Sequence, residues 1–189
     1  MSRSALPVAC LALACIAGAV NAQESTARRY ELPGFHALEL ELPAGWQDAV
    51  DEQPGGAAIT IELRPQAGSG FEVFLTPEPN GEPPGRIDDA ETLRAGVRDA
   101  ALRQEPGSVA LPLELRRLQG TDGVGFYFVA TDYTPAPDEL PNLLQGALLV
   151  GGLILRFEIL SDAGQDAAVA QALALLQGAV HRDRGDGRP

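Results

Sequence analysis

Acid–base chemistry in this chain would fall chiefly to two histidines, His36 and His181, and to 26 carboxylates among 189 residues. Both cysteines, Cys10 and Cys15, lie in the first 22 residues, and there is no lysine anywhere. Beyond residue 22 this excludes thiol, Ser–Lys and Schiff-base mechanisms, which need a sulfur or an amine as nucleophile or base. A serine nucleophile would have to borrow one of the histidines. Ser25, Ser69, Ser108 and Ser161 all sit in polar or turn contexts, and none occupies a Gly-x-Ser-x-Gly elbow. Glu39 and Glu41 share one face of an alternating segment, as a glycosidase pair would. With His36 they make the one enzyme arrangement the residues offer, but solvent-facing charge belongs at the same positions of a half-buried strand. Asp51-Glu52, Asp88-Asp89 and Asp138-Glu139 adjoin loops or helix starts, where acids solvate and cap. No segment spaces acids around a central glycine as a calcium loop requires. The expectation is a protein that is not an enzyme, with no catalytic residue, no cofactor and no metal site.

Several short patterns have plainer readings. Gly120 to Gly125 is glycine-rich, yet it lacks a following helix and a P-loop lysine, so it reads as a turn. Arg184-Gly185-Asp186 matches an integrin-type tripeptide but falls in a charged tail. Trp46 follows Leu-Pro-Ala-Gly and reads as a core plug at a strand end. Phe71, Phe74, Phe126 and Phe128 either fill a core or line a pocket for a small apolar ligand. The proline-rich stretches 77–85 and 135–141 combine prolines with Glu78, Glu82, Asp138 and Glu139. As long surface loops with little ordering entropy to lose, they suit a basic, polar partner.

Strand-like alternation dominates the elements that must position these residues. Leu38, Leu40 and Leu42 alternate with Glu39 and Glu41, and Ile59, Ile61 and Leu63 with Thr60 and Glu62. Phe71, Val73 and Leu75 mark a third strand, and Leu111, Leu113 and Leu115 a further one. In the run 124–133, Phe126 and Phe128 share one face while Tyr127 and Val129 share the other. Two apolar runs, 143–150 and 153–160, flank Gly151-Gly152, a hairpin signal because both turn residues take positive φ cheaply. Both runs look apolar on two faces, which predicts a central hairpin covered on each side. Helices are expected where Asp88 and Glu91 have capping-box spacing ahead of a Leu93, Val97, Ala101 stripe, and over 166–180.

The compartment is written at the start of the chain. Arg3, an apolar run from Ala5 to Val20 and the small-residue exit Val20-Asn21-Ala22 predict a secretory signal peptide over 1–22, cleaved after Ala22. Ala17-Gly18-Ala19 is a rival exit. Ala12-Leu13-Ala14-Cys15 does not match a lipoprotein box, so anchoring through Cys15 is not expected. Cleavage removes both cysteines and leaves a periplasmic or secreted domain without disulfides or a transmembrane segment. It also removes Arg3, leaving the chain more acidic than its formal −12. Such a surface repels nucleic acid and anionic lipid.

The opening Phe35-His36-Ala37-Leu38 to Leu42-Pro43-Ala44-Gly45-Trp46 resembles the first strand and turn of PsbP-like domains. Gly125-Phe126-Tyr127-Phe128 through Asp132 resembles their later sheet strand, and the 146–160 hairpin with its Ala/Leu helix their C-terminal end. The resemblance spans most of 30–180 and transfers no functional residue. It implies an α-β-α sandwich and an accessory or partner-binding role in exported settings. The combined expectation is one α+β domain over 30–180, with a mostly antiparallel sheet of about six or seven strands, helices on both faces and a disordered tail over 181–189. Its expected function is a non-catalytic partner-binding module of the cell envelope, whose partner is an envelope protein; the alternative is a periplasmic carrier of a small apolar ligand.

Overall fold

Alternating side chains give each strand two faces, and the structure shows what covers each face. It is a computed structural model that describes residues 25–34, 36–52, 59–81, 86–87, 89–104 and 107–182. Residues 1–22, expected to be a signal peptide, and the expected tail beyond Arg182 therefore lie outside the described residues. The elements are β1 (Ser25–Leu32), β2 (His36–Pro43), β3 (Trp46–Glu52), β4 (Ile59–Pro65), β5 (Phe71–Pro79) and α1 (Ala90–Leu102). They continue with β6 (Arg116–Gln119), β7 (Val124–Thr131), β8 (Asn142–Val150), β9 (Leu153–Ser161), α2 (Asp166–Gln177) and β10 (Val180–Arg182). Seven strands form one antiparallel sheet in the order β3-β4-β5-β9-β8-β7-β6, and three form a second in the order β1-β2-β10.

The expected α+β class and its α-β-α sandwich are therefore wrong: the fold is mostly β, with ten strands and only two helices among the described residues, in two antiparallel sheets. One side of the large sheet is covered chiefly by strands. Tyr30 and Leu32 of β1 and Leu38, Leu40 and Leu42 of β2 turn inward and pack with Ile61, Leu63, Val73, Leu75, Leu155, Phe157 and Ile159. These strands carry one apolar face each and take the place where a helical layer was expected. α2 packs beside β2 and adds Ala172, Leu175 and Leu176 to the same core. On the other side, Leu93, Val97 and Ala101 of α1 pack on Phe126, Phe128, Ala147 and Ile154.

Local chemistry explains where elements start and stop. The α1 cap is Asp89, one residue later than the spacing suggested: its side chain accepts from Thr92 N at 2.7 Å and Thr92 Oγ1 at 2.8 Å. The backbone N–H of Thr92 chiefly holds the Asp89 carboxyl below its usual range. β5 continues through Pro77 and Pro79, which the sequence places in a loop. Asn80 N donates to Gly152 O, so even positions point toward β9 and both proline nitrogens toward β4. The β4–β5 register covers only Val73 to Leu75, so neither proline removes a ladder bond. Leu111, Leu113 and Leu115 form no strand; Pro112 interrupts the run, and Leu111 is 83% exposed. α2 stops at Gln177, capped by Gly178, and Val180–Arg182 then pair with β2. His181 and Arg182, read as the start of a tail, are thus strand residues.

Two glycines test this packing in opposite senses. A Cβ on Gly146 would lie 2.6 Å from Phe157 Cζ and 2.7 Å from Tyr127 Cβ and press on Phe126 O. Gly146→Ala should lower unfolding free energy by about 1–3 kcal/mol, as overpacked cores do. Gly96, inside α1, has nothing within 4 Å of that position. Gly96→Ala should raise stability by roughly 0.5–1 kcal/mol. Urea unfolding of the two variants should bracket the wild type.

Candidate functional site

A helix about 10 Å wide covers only about two strands at their spacing of roughly 4.8 Å. α1 lies over β7 and β8. On the same side of the sheet, β9, β5 and β4 present polar residues. Arg156 and Glu158 are exposed, while Thr60, Glu62, Phe74, Thr76 and Glu78 are half-buried. A cleft of about 390 Å³ runs along this boundary, between Gly96, Val97 and Ala100 of α1 and Phe74, Thr76, Arg156 and Glu158 of the sheet.

The strand register orders its floor. Glu62 pairs with Phe74, Phe74 with Glu158, Glu158 with Gln145, and Gln145 with Phe128, so one row runs from an acidic rim to the core under α1. Side chains are tied to one another along it. Arg156 Nε donates to Glu78 Oε2 at 2.7 Å, and Gln145 Nε2 to Glu158 Oε1 at 2.7 Å. Gln104, just beyond α1, donates to Gln145 Oε1 at 3.1 Å and so links the helix end to the row. Arg64 reaches Glu62 at 3.4 Å. These bonds preorganise a polar surface. Of the β8 and β9 runs, both expected to be covered on two sides, β8 lies under α1 while β9 is open here, because Arg156 and Glu158 alternate with Leu155, Phe157 and Ile159.

The other candidate residues are dispersed. His36 points to the inner side of β2 with Leu38, whereas Glu39 and Glu41 point outward. The proposed His36–Glu39/Glu41 site is therefore not assembled, as the odd–even spacing already implies. Glu39 instead bridges Arg29 at 3.1 Å and Arg182 at 2.8 Å, and Glu41 accepts from Ser25 Oγ at 2.8 Å. His36 has its ring centroid 6.4 Å from that of His181, whose Nδ1 accepts from Gly152 N at 3.2 Å. Trp46 is buried, edge-to-face with Phe71 at 5.5 Å. The four phenylalanines do not line one pocket. Phe71 belongs to the core under the small sheet and Phe126 is buried beneath α1, whereas Phe128, also beneath α1, and the half-buried Phe74 both border the cleft. Gly120 to Gly125 turns through Gly120 N to Gly123 O at 2.9 Å and leads into β7. Arg184-Gly185-Asp186 and Glu82 lie outside the described residues.

The exposed 135–141 loop is held by Glu139, whose Oε2 accepts from Ala136 N at 3.0 Å. It borders a second cavity of about 410 Å³ that includes Tyr133, Leu140, Pro141 and Gln104, so Gln104 stands between cavity and cleft. Among the described residues, no group of three or more His, Cys, Asp or Glu could hold a metal ion, and no helix is long and apolar enough to cross a membrane. No protein-family model matches the chain, and no curated protein does.

Hydrogen bonding from Arg182, followed by that from Arg29, holds the Glu39 carboxyl below its usual range. A depressed carboxylate stabilises the fold above its unfolded pKa of about 4.3, and the stabilisation fades as pH falls toward the lower folded value. Glu39→Gln should thus unfold more easily than wild type at pH 7. The difference should shrink below about pH 4.3 as the wild-type carboxyl protonates in turn, which thermal melts across pH 3–7 would show.

Proposed function

We propose that this chain is an exported, non-catalytic partner-binding module of the cell envelope that makes contact through the cleft beside α1. The observation that carries this reading is the polar half-face left open by α1, with its side chains already held in ion pairs and amide hydrogen bonds. A surface ordered before contact loses little side-chain entropy on binding, which favours recognition. The leader-like segment 1–22 supplies the export part of the reading from sequence. The 135–141 loop, adjoining the cleft through Gln104, extends the surface available to a protein partner.

A second reading, a carrier of a small apolar ligand, is favoured by a different cavity. About 400 Å³ lies between α2 and β7–β8, where Tyr127, Val129 and Leu144 of the sheet face Val169 and Leu173 of α2 inside a rim that includes Arg116, Asp162 and Asp166. Native mass spectrometry of protein from its own host decides for the carrier if a small adduct persists and is lost on Leu144→Trp.

Under the partner-binding reading, export yields a protein whose N-terminal sequence begins at Gln23. Gly96→Trp places an indole in the cleft from a helix position with open space around it. The variant should retain its unfolding midpoint yet capture an envelope partner at least tenfold less well in quantitative pull-downs. Equal capture by both proteins overturns the proposed contact surface.

A further inference from the structure

We infer that the cleft receives an arginine side chain of the partner protein, its guanidinium laid on the Phe74 ring between Glu62 and Glu158. The inference deepens the partner-binding reading and rests on it for the protein that supplies the arginine. Phe74 is the half-buried aromatic of the cleft, and its direct cross-strand neighbours on the two sides are both carboxylates. Such neighbours stand about 5 Å away, close enough for one planar cation to touch ring and carboxylate together.

Charge selects the same occupant. The open half-face carries Asp51, Glu62, Glu72, Glu78 and Glu158 against Arg64 and Arg156. Both guanidiniums already face carboxylates, Arg64 at Glu62 and Arg156 at Glu78, so the balance is negative. An anionic ligand would meet that excess directly. An apolar ligand would strip water from Arg156 and Glu158 without replacing their hydrogen bonds. Gln145 engages Oε1 of Glu158, and a carboxylate has about four acceptor positions, so capacity for a forked donor remains. Arginine suits the row better than lysine because its guanidinium is planar, stacks on aromatic rings and donates in a fork.

The test uses purified ¹⁵N-labelled protein and three acetylated, amidated pentapeptides: Gly-Arg-Gly-Arg-Gly and its lysine and citrulline counterparts. The arginine peptide should shift the amides around Glu62, Phe74 and Glu158 and along 96–100 saturably, with the citrulline peptide at least tenfold weaker. Phe74→Leu should weaken arginine-peptide binding roughly two- to fivefold, the size of one exposed cation–π contact. Glu158→Gln should weaken it and flatten its salt dependence, and dispersed amide spectra would show both variants folded. Absent or non-saturating shifts, shifts mapping elsewhere, equal binding of the citrulline peptide, or tighter binding of the lysine peptide each overturn the arginine assignment. Capture of an envelope partner that Gly96→Trp abolishes, together with no peptide binding, sinks this assignment alone. Peptide binding at Phe74 without any cleft-dependent capture sinks the partner-binding reading alone.

Discussion

The β8–β9 hairpin is the constraint on which the other parts depend. Nine consecutive pairs, from Asn142 with Ser161 to Val150 with Leu153, fix its register around Gly151-Gly152, where Gly151 takes φ 57°. β7 adds to one edge and β5 to the other, so the centre of the large sheet is set by this one turn. Period-two alternation then sends Leu155, Phe157 and Ile159 to one core and Ile154 to the other. A slip of one residue would bury Arg156 and Glu158 and expose those large apolar side chains. The register is therefore strongly specified.

The two sides of that sheet are covered by layers of unequal width, and the cleft follows from the difference. β1 and β2, with α2 and β10 in line beside them, make a broad cover. α1 alone makes a narrow one, so the polar positions of β9, β5 and β4 stay accessible. The side chains there hold one another, and the Gln104–Gln145–Glu158 chain ties the end of the helix to the row that crosses the cleft. Order at the surface thus derives from order in the core beneath it.

The small sheet also joins the two ends of the described chain. β10 pairs with β2, Arg182 meets Glu39, and His181 accepts from the Gly152 backbone at the tip of the central hairpin. Exposed ion pairs of this kind are individually weak. Here they accompany backbone pairing and the insertion of Leu38, Leu40 and Leu42 into the core, and those contribute most of the hold.

Alternation by itself determined which face residues take within β2, β4 and β7, although the equally alternating run Leu111, Leu113 and Leu115 forms no strand. The inward set Leu38, Leu40 and Leu42, the split of Phe126 and Phe128 from Tyr127 and Val129, and the Gly151-Gly152 hairpin were all legible, because side-chain period and turn chemistry are local properties. The inward stripe of α1 was legible for the same reason, although its cap lay one residue further on. Even the separation of His36 from Glu39 and Glu41 was written in their odd–even spacing. The sequence could not say that β1 and β2 leave the main sheet to cover it, that Pro77 and Pro79 sit harmlessly in β5, or that His181 and Arg182 are strand. Those outcomes depend on which backbone edges are already paired and how wide each covering layer is. The cleft was hidden for the same reason. Glu62, Phe74, Glu158 and Gln145 come from four strands spread over 97 residues, and only long-range pairing sets them in one row.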